Sequence, residues 1–67
     1  MKVWVLTEEY NDYDQHGEYF IEVFRSIPTR HQLLNCYVPE SSINHVLNGG
    51  GRIEDEYQWF LLSEHSI

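Results

Sequence analysis

The sequence predicts an α+β domain: a three-stranded antiparallel sheet in the order strand, strand, helix, helix, strand, with both helices on one sheet face. Three features carry that expectation. Apolar or alternating runs stand at residues 2–6, 18–25 and 52–64, a helix-capping signature follows Pro28, and a glycine triplet precedes the last run.

KVWVL at residues 2–6 is an unbroken run of β-branched and aromatic residues, the mark of a central strand. Residues 8–17, EEYNDYDQHG, are polar and acidic and close on Gly17. They read as a hairpin connection whose flanks extend the two strands. EYFIEVFR at 18–25 alternates, with Tyr19, Ile21 and Val23 on one face and Glu18, Phe20, Glu22 and Phe24 on the other. It reads as a second strand, antiparallel to the first. Pro28 interrupts it, and Thr29 with Gln32 forms a capping box in which hydroxyl and amide each satisfy a backbone N–H. A helix over residues 30–37 is then expected to bury Leu33, Leu34 and Tyr37. Pro39 ends it, because the residue before proline avoids helical dihedrals. A second helix starts at residue 40 or 41, with Ile43, Val46 and Leu47 as its buried stripe. Asn48 and glycines 49–51 terminate it in left-handed backbone. RIEDEYQWFLLSE at 52–64 reads as the third strand, with Ile53, Tyr57, Trp59 and Leu61 toward the helices.

Two helices cover only one face of such a sheet. Phe20, Phe24, Phe60 and Leu62, joined by either Trp4 and Leu6 or Val3 and Val5, are expected on the other. An uncovered apolar patch marks a contact surface, so those four are a candidate homodimer face.

Composition bounds what the chain does. Hydrophobic residues make up 42% and aromatics 15% of 67 residues, the balance of a chain that collapses into one small domain. There is no apolar run near 18 residues and no charged-then-apolar leader, so neither a membrane span nor a signal peptide is expected. Cys36 is alone, so an internal disulfide is not expected, and a free thiol fits a reducing cytoplasm. Eleven acids oppose four bases (Lys2, Arg25, Arg30, Arg52), a net charge of −7. That field repels phosphate backbones, which argues against direct nucleic-acid binding, and steers the protein toward basic surfaces. The same charge also serves solubility alone.

Catalytic and metal chemistry find no foothold in the residue pattern. Asp12, Asp14, His16 and Glu18 alternate around Gly17 as at the start of an EF-hand loop, but Val23 stands where a bidentate Glu is required. His16, His31, His45, His65 and Cys36 show no zinc-ligand spacing. Cys36, late in an apolar helix, reads as a buried thiol. Glycines 49–51 follow a helix and precede a strand, the reverse of a phosphate cradle. The sequence therefore predicts a protein that is not an enzyme and needs no cofactor.

What remains is carboxylate interleaved with tyrosine. Glu8, Glu9, Tyr10, Asp12, Tyr13, Asp14 and Glu18 belong to the first hairpin; Glu54, Asp55, Glu56 and Tyr57 begin the last strand. If the two hairpin strands flank the sheet, both groups converge at one end of it. Tyrosine adds rigid contact area and a hydroxyl, and carboxylates arrayed beside it can imitate nucleic-acid phosphates in a groove lined by Lys and Arg.

MKVWVLTEEYNDYDQHGEYF, the Pro28-Thr29 helix start and the final GGGRIEDEYQWFLL together resemble short proteins of tailed phages and prophages, which open with a K-V-[WY]-V-L strand and close with an aromatic strand. The likeness spans most of the chain, rests on structural strands and transfers no site. In size, acidity and lack of an active site the chain is also similar in type to phage-encoded inhibitors of host defence, anti-CRISPR proteins among them. That likeness implies a non-enzymatic inhibitor in the cytoplasm of a host bacterial cell. Its partner would be a host protein or ribonucleoprotein with a basic surface, met by the acidic and tyrosine residues above. The alternative is a small dimerising assembly protein of a phage, using Phe20, Phe24, Phe60 and Leu62.

Overall fold

A computed structural model describes residues 1–12, 15–53 and 57–67. Strand β1 (Lys2–Asp12) pairs antiparallel with β2 (Gln15–Phe24) on one side and with β3 (Gln58–Ser66) on the other, giving the sheet order β2-β1-β3. Between β2 and β3 lie α1 (Arg30–Asn35), a 3₁₀ turn at Glu40–Ser42 and α2 (Ile43–Leu47). This is the expected α+β order. The first hairpin runs further than its composition suggests, because β1 is paired on both edges as far as Tyr10. Two hydrogen-bonded ladders hold the polar stretch from Thr7 onward in strand despite its weak β propensity. The last strand instead begins at Gln58, six residues later than the run starting at Arg52 suggests.

The helix ends are local chemistry. Thr29 Oγ1 accepts the Gln32 N–H at 3.2 Å while Gln32 Oε1 accepts the Thr29 N–H at 2.9 Å, completing the capping box. At the other end α1 stops short of the expected residue 37. Tyr37 takes the left-handed conformation, φ 67°, and its N–H donates to the Leu34 carbonyl at 3.0 Å. The Val38 N–H reaches back to the Leu33 carbonyl at 3.1 Å, and buried Val38 joins buried Leu33 in the core. That pair of bonds is a Schellman closure. The end of α2 repeats it, with Gly49 N–H to the Val46 carbonyl and Gly50 N–H to the His45 carbonyl, both at 2.9 Å. Where α2 places glycine, α1 places a tyrosine that is 90% exposed, and Leu34 is exposed beside it. Leu34 and Tyr37, expected to be buried, are both exposed: Leu33 alone occupies the buried face of α1, and the reversal at Tyr37 turns that ring outward. Tyr37→Gly should raise stability by about 1 kcal/mol, since glycine meets no Cβ penalty there. In a chain this short that is about 4–8 °C in the thermal midpoint, read by circular dichroism.

The core lies between the sheet and the helices: Leu6, Leu33, Val38, Ile43 and Val46, flanked by Ile21, Phe24, Cys36, Leu47, Phe60 and Leu62. Three of the four residues expected on the open face, Phe24, Phe60 and Leu62, thus pack against the helix-side core. Two causes explain the correction. In β2 the register jumps from Leu6↔Glu22 to Thr7↔Phe20, so Ile21 is an inserted residue, and this β-bulge puts Phe20 and Phe24 on opposite faces. In β3 the pairs Leu6↔Leu62 and Glu8↔Phe60 place the even positions with Leu6, under the helices. Trp59 and Leu61, paired with Glu9 and Thr7, take the other side. The open face carries Val3, Val5, Thr7, Val23, Leu61 and Phe20, the last 65% exposed.

The sheet edges differ. Along β3 the glycine segment adds a short outer rung: Gly51 N–H donates to the Phe60 carbonyl and Leu62 N–H to the Gly49 carbonyl, both at 2.9 Å. Along β2, among the described residues, no strand follows. There the Val23 N–H is taken by the neighbouring Glu22 carboxylate at 3.0 Å, a charge that blunts the edge. Among the described residues no helix is long and apolar enough to cross a membrane.

Candidate functional site

The far end of the β1–β2 hairpin collects the acidic and tyrosine residues, and the two-residue period of strands divides them between faces. On the helix side, beyond the helices, stand Glu8, Tyr10 and Tyr19. Glu8 sits directly across from Tyr19, and Tyr10 across from Gly17. Gly17 is needed there: a Cβ would fall 2.3 Å from the Tyr10 ring, so only glycine lets that ring lie against the β2 backbone. Tyr10 then stacks on Tyr19, ring centroids 5.3 Å apart and planes 20° from parallel. The neighbouring Tyr10 hydroxyl, then desolvation and last the Glu8 charge, hold the Tyr19 phenol above its ordinary pKa. Tyr19 remains 56% exposed.

On the opposite face Glu9 and Glu18 are cross-strand neighbours, an arrangement of like charges that repels. Glu9 finds relief from β3: the Trp59 indole N–H donates to its carboxylate at 2.7 Å. The Arg52 guanidinium lies over the Trp59 ring, 5.9 Å from its centroid. Trp59 is buried on this side, which corrects the expectation from odd-position alternation that it faces the helices. Glu9 is thereby engaged within the chain, whereas Glu18 is exposed.

Asn11 N–H donates to the Tyr57 carbonyl at 2.8 Å, which fastens the start of β3 beside the hairpin end and leaves Tyr57 exposed. Asp12 closes β1 opposite Gln15. Tyr13, Asp14, Glu54, Asp55 and Glu56 lie outside the described residues. The structure thus gathers Glu8, Tyr10 and Tyr19 on one face and Glu9 and Glu18 on the other. Tyr19, Arg52 and Trp59 were not among the sequence candidates. Tyr19 and Trp59 read as strand-face hydrophobics, and only the register reveals the carboxylate opposite each.

The groups that could do covalent or metal chemistry are dispersed. Among the described residues no three His, Cys, Asp or Glu side chains converge. His45 Nε2 donates to the Gly51 carbonyl at 3.0 Å and tethers the glycine segment to α2. Burial, and after it the Glu22 charge, push the Cys36 thiol above its ordinary pKa, so little nucleophilic thiolate forms at neutral pH. An open groove of about 270 Å³ runs between Trp4, Ile27, Leu47, Leu62 and the glycine segment. Glu64, also on its lining, pairs with Lys2 at 2.9 Å.

Compared with models of protein families, with curated proteins and with solved structures, the chain gives no match.

Proposed function

We propose that the protein is a non-enzymatic binding module of the phage anti-defence type, acting in the cytoplasm of a bacterial host. It covers a basic, nucleic-acid-binding surface of a host protein or ribonucleoprotein. The observation that carries this reading is the hairpin end itself. Carboxylates project from both faces of one ribbon, with stacked tyrosines beside them, in a chain of net charge −7. A sheet end with acid on both faces can meet a surface lined by Lys and Arg and displace the phosphates held there. The resemblance of the strand motifs to short tailed-phage proteins supports the phage origin in this reading. Immobilised protein is expected to retain nucleic-acid-binding proteins from a bacterial lysate at low salt and release them to a short DNA duplex. Raising salt from 50 to 500 mM should weaken retention steeply, and the double substitution Glu8→Lys with Glu18→Lys should abolish it. Retention that ignores salt, duplex and charge reversal removes the proposal.

The open apolar sheet face supports a second reading, a self-associating assembly protein. Sedimentation across a hundredfold range of concentration separates the two, because a mass that stays monomeric leaves no dimer.

A further inference from the structure

The opposite face of the same hairpin shows what the hairpin end is suited to hold. There a carboxylate on β1, Glu9, faces an aromatic ring on the neighbouring strand, Trp59, and a guanidinium, Arg52, lies on that ring. One residue earlier on β1 and on the other face, Glu8 faces Tyr19, and the Tyr19 ring is set by its stack on Tyr10. The two constellations have the same parts: a β1 carboxylate directly across from an aromatic side chain, at the ~5 Å Cβ spacing of cross-strand neighbours. They differ in two ways: the Trp59 indole N–H itself donates to Glu9, and there a guanidinium already covers the ring. Among the described residues the cation–ring contact found is that of Arg52 on Trp59.

The chain's own cations are committed elsewhere. Lys2 pairs with Glu64, Arg30 with Glu40, and Arg52 covers Trp59. Arg25 lies past the end of β2, about 20 Å along the chain from Tyr19 at ~3.3 Å per residue. With the chain's lysine and arginines placed elsewhere, a guanidinium that completes Glu8 and Tyr19 comes from another molecule. We propose that Glu8, Tyr10 and Tyr19 form a receptor for one arginine side chain of a protein partner. The guanidinium plane lies on the Tyr19 ring, its N–H groups donate to the Glu8 carboxylate, and Tyr10, pinned over Gly17, keeps Tyr19 upright. Arginine suits the site better than lysine, because a planar, weakly hydrated guanidinium stacks and donates at once while an ammonium remains a hydrated point charge. The assignment rests on the basic-partner reading above and names the group that is recognised.

The probes are the peptides acetyl-Gly-Arg-Gly-amide and acetyl-Gly-Lys-Gly-amide, titrated into the ¹⁵N-labelled full chain at low salt. The arginine peptide is expected to shift the amide resonances of Glu8, Tyr10, Gly17 and Tyr19 and to bind about three- to fivefold more tightly than the lysine peptide. Tyr19→Leu and Glu8→Gln should each lower that affinity about threefold or more, whereas Tyr19→Phe, which keeps the ring, should retain it. The amide dispersion of the leucine variant, read in the same titration, separates loss of binding from loss of fold. No shift at these residues, equal affinity for the two peptides, or full binding by Tyr19→Leu overturns the proposal. If the peptides leave Tyr19 untouched while basic proteins are still retained and released by duplex, the arginine receptor falls and the occlusion reading stands. Selective arginine binding with no nucleic-acid-binding protein retained has the opposite meaning.

Discussion

Gly50→Ala is expected to lower the unfolding free energy by about 3 kcal/mol or more, a large share of the ~3–10 kcal/mol that a chain of 67 residues commands. Two effects add at that position. Gly50 has φ 75°, in the left-handed region, where an alanine costs about 1 kcal/mol. Its Cβ would also stand 2.1 Å from the Phe60 carbonyl oxygen and 3.0 Å from the Leu61 Cα, both backbone atoms of β3 that cannot swing aside. Relief requires the glycine segment to lift off the edge of β3. The two hydrogen bonds linking Gly49 and Gly51 to that edge are then lost, at about 1 kcal/mol each. The tether from His45 to the Gly51 carbonyl goes with them. Gly49→Ala is the control: its φ of 111° also strains an L-residue, but nothing lies within 4 Å of the added methyl. Urea unfolding of the two variants should therefore show Gly50→Ala as clearly the weaker. Equal midpoints would mean that the glycine segment does not press against β3. Arg52 follows this segment directly, so its placement over Trp59 should loosen in the Gly50 variant as well.

The features legible in the sequence are those encoded by neighbours in the chain. Thr29 and Gln32 are three residues apart and form the capping box the spacing implies, and Asn48 with the glycines ends α2. Features set by pairing between strands were not legible in the same way. The apolar run Trp59–Phe60–Leu61–Leu62 does not alternate, so its composition is equally compatible with either face. The facing is decided by the pair Leu6↔Leu62, which depends on where β1 sits. In β2 the alternation of Phe20, Glu22 and Phe24 looks regular, and nothing in those residues announces that Ile21 bulges out of the ladder. Tyr37 carries no glycine or asparagine signal for the left-handed reversal it makes. The candidate surface follows the same division. Glu8 and Tyr10 stood out by composition, while their partner Tyr19, and the engagement of Glu9 by Trp59, emerged only from the register.

Leu6→Ala should cost about 2–5 kcal/mol, the range for emptying a fully enclosed leucine site, and in a domain of this size should leave little or no folded protein at 37 °C. Leu6 lies at the centre of the middle strand, has no exposed surface, and packs with Leu33, Val38, Ile43 and Val46. Helices on one side and strands on both flanks leave the site no way to collapse without moving an element. Phe20→Ala supplies the contrast, because it removes a larger side chain from the open face, where 65% of the residue is already in water. Its cost should stay within about 1 kcal/mol, the transfer energy of the small area it buries. Chemical denaturation of both variants reads the two numbers directly. A Phe20 variant as damaged as the Leu6 variant would mean that the bulge at Ile21 is absent and that Phe20 lies under the helices. The ordering Leu6 far above Phe20 fixes which sheet face is covered, and with it the side on which Glu8, Tyr10 and Tyr19 must be presented.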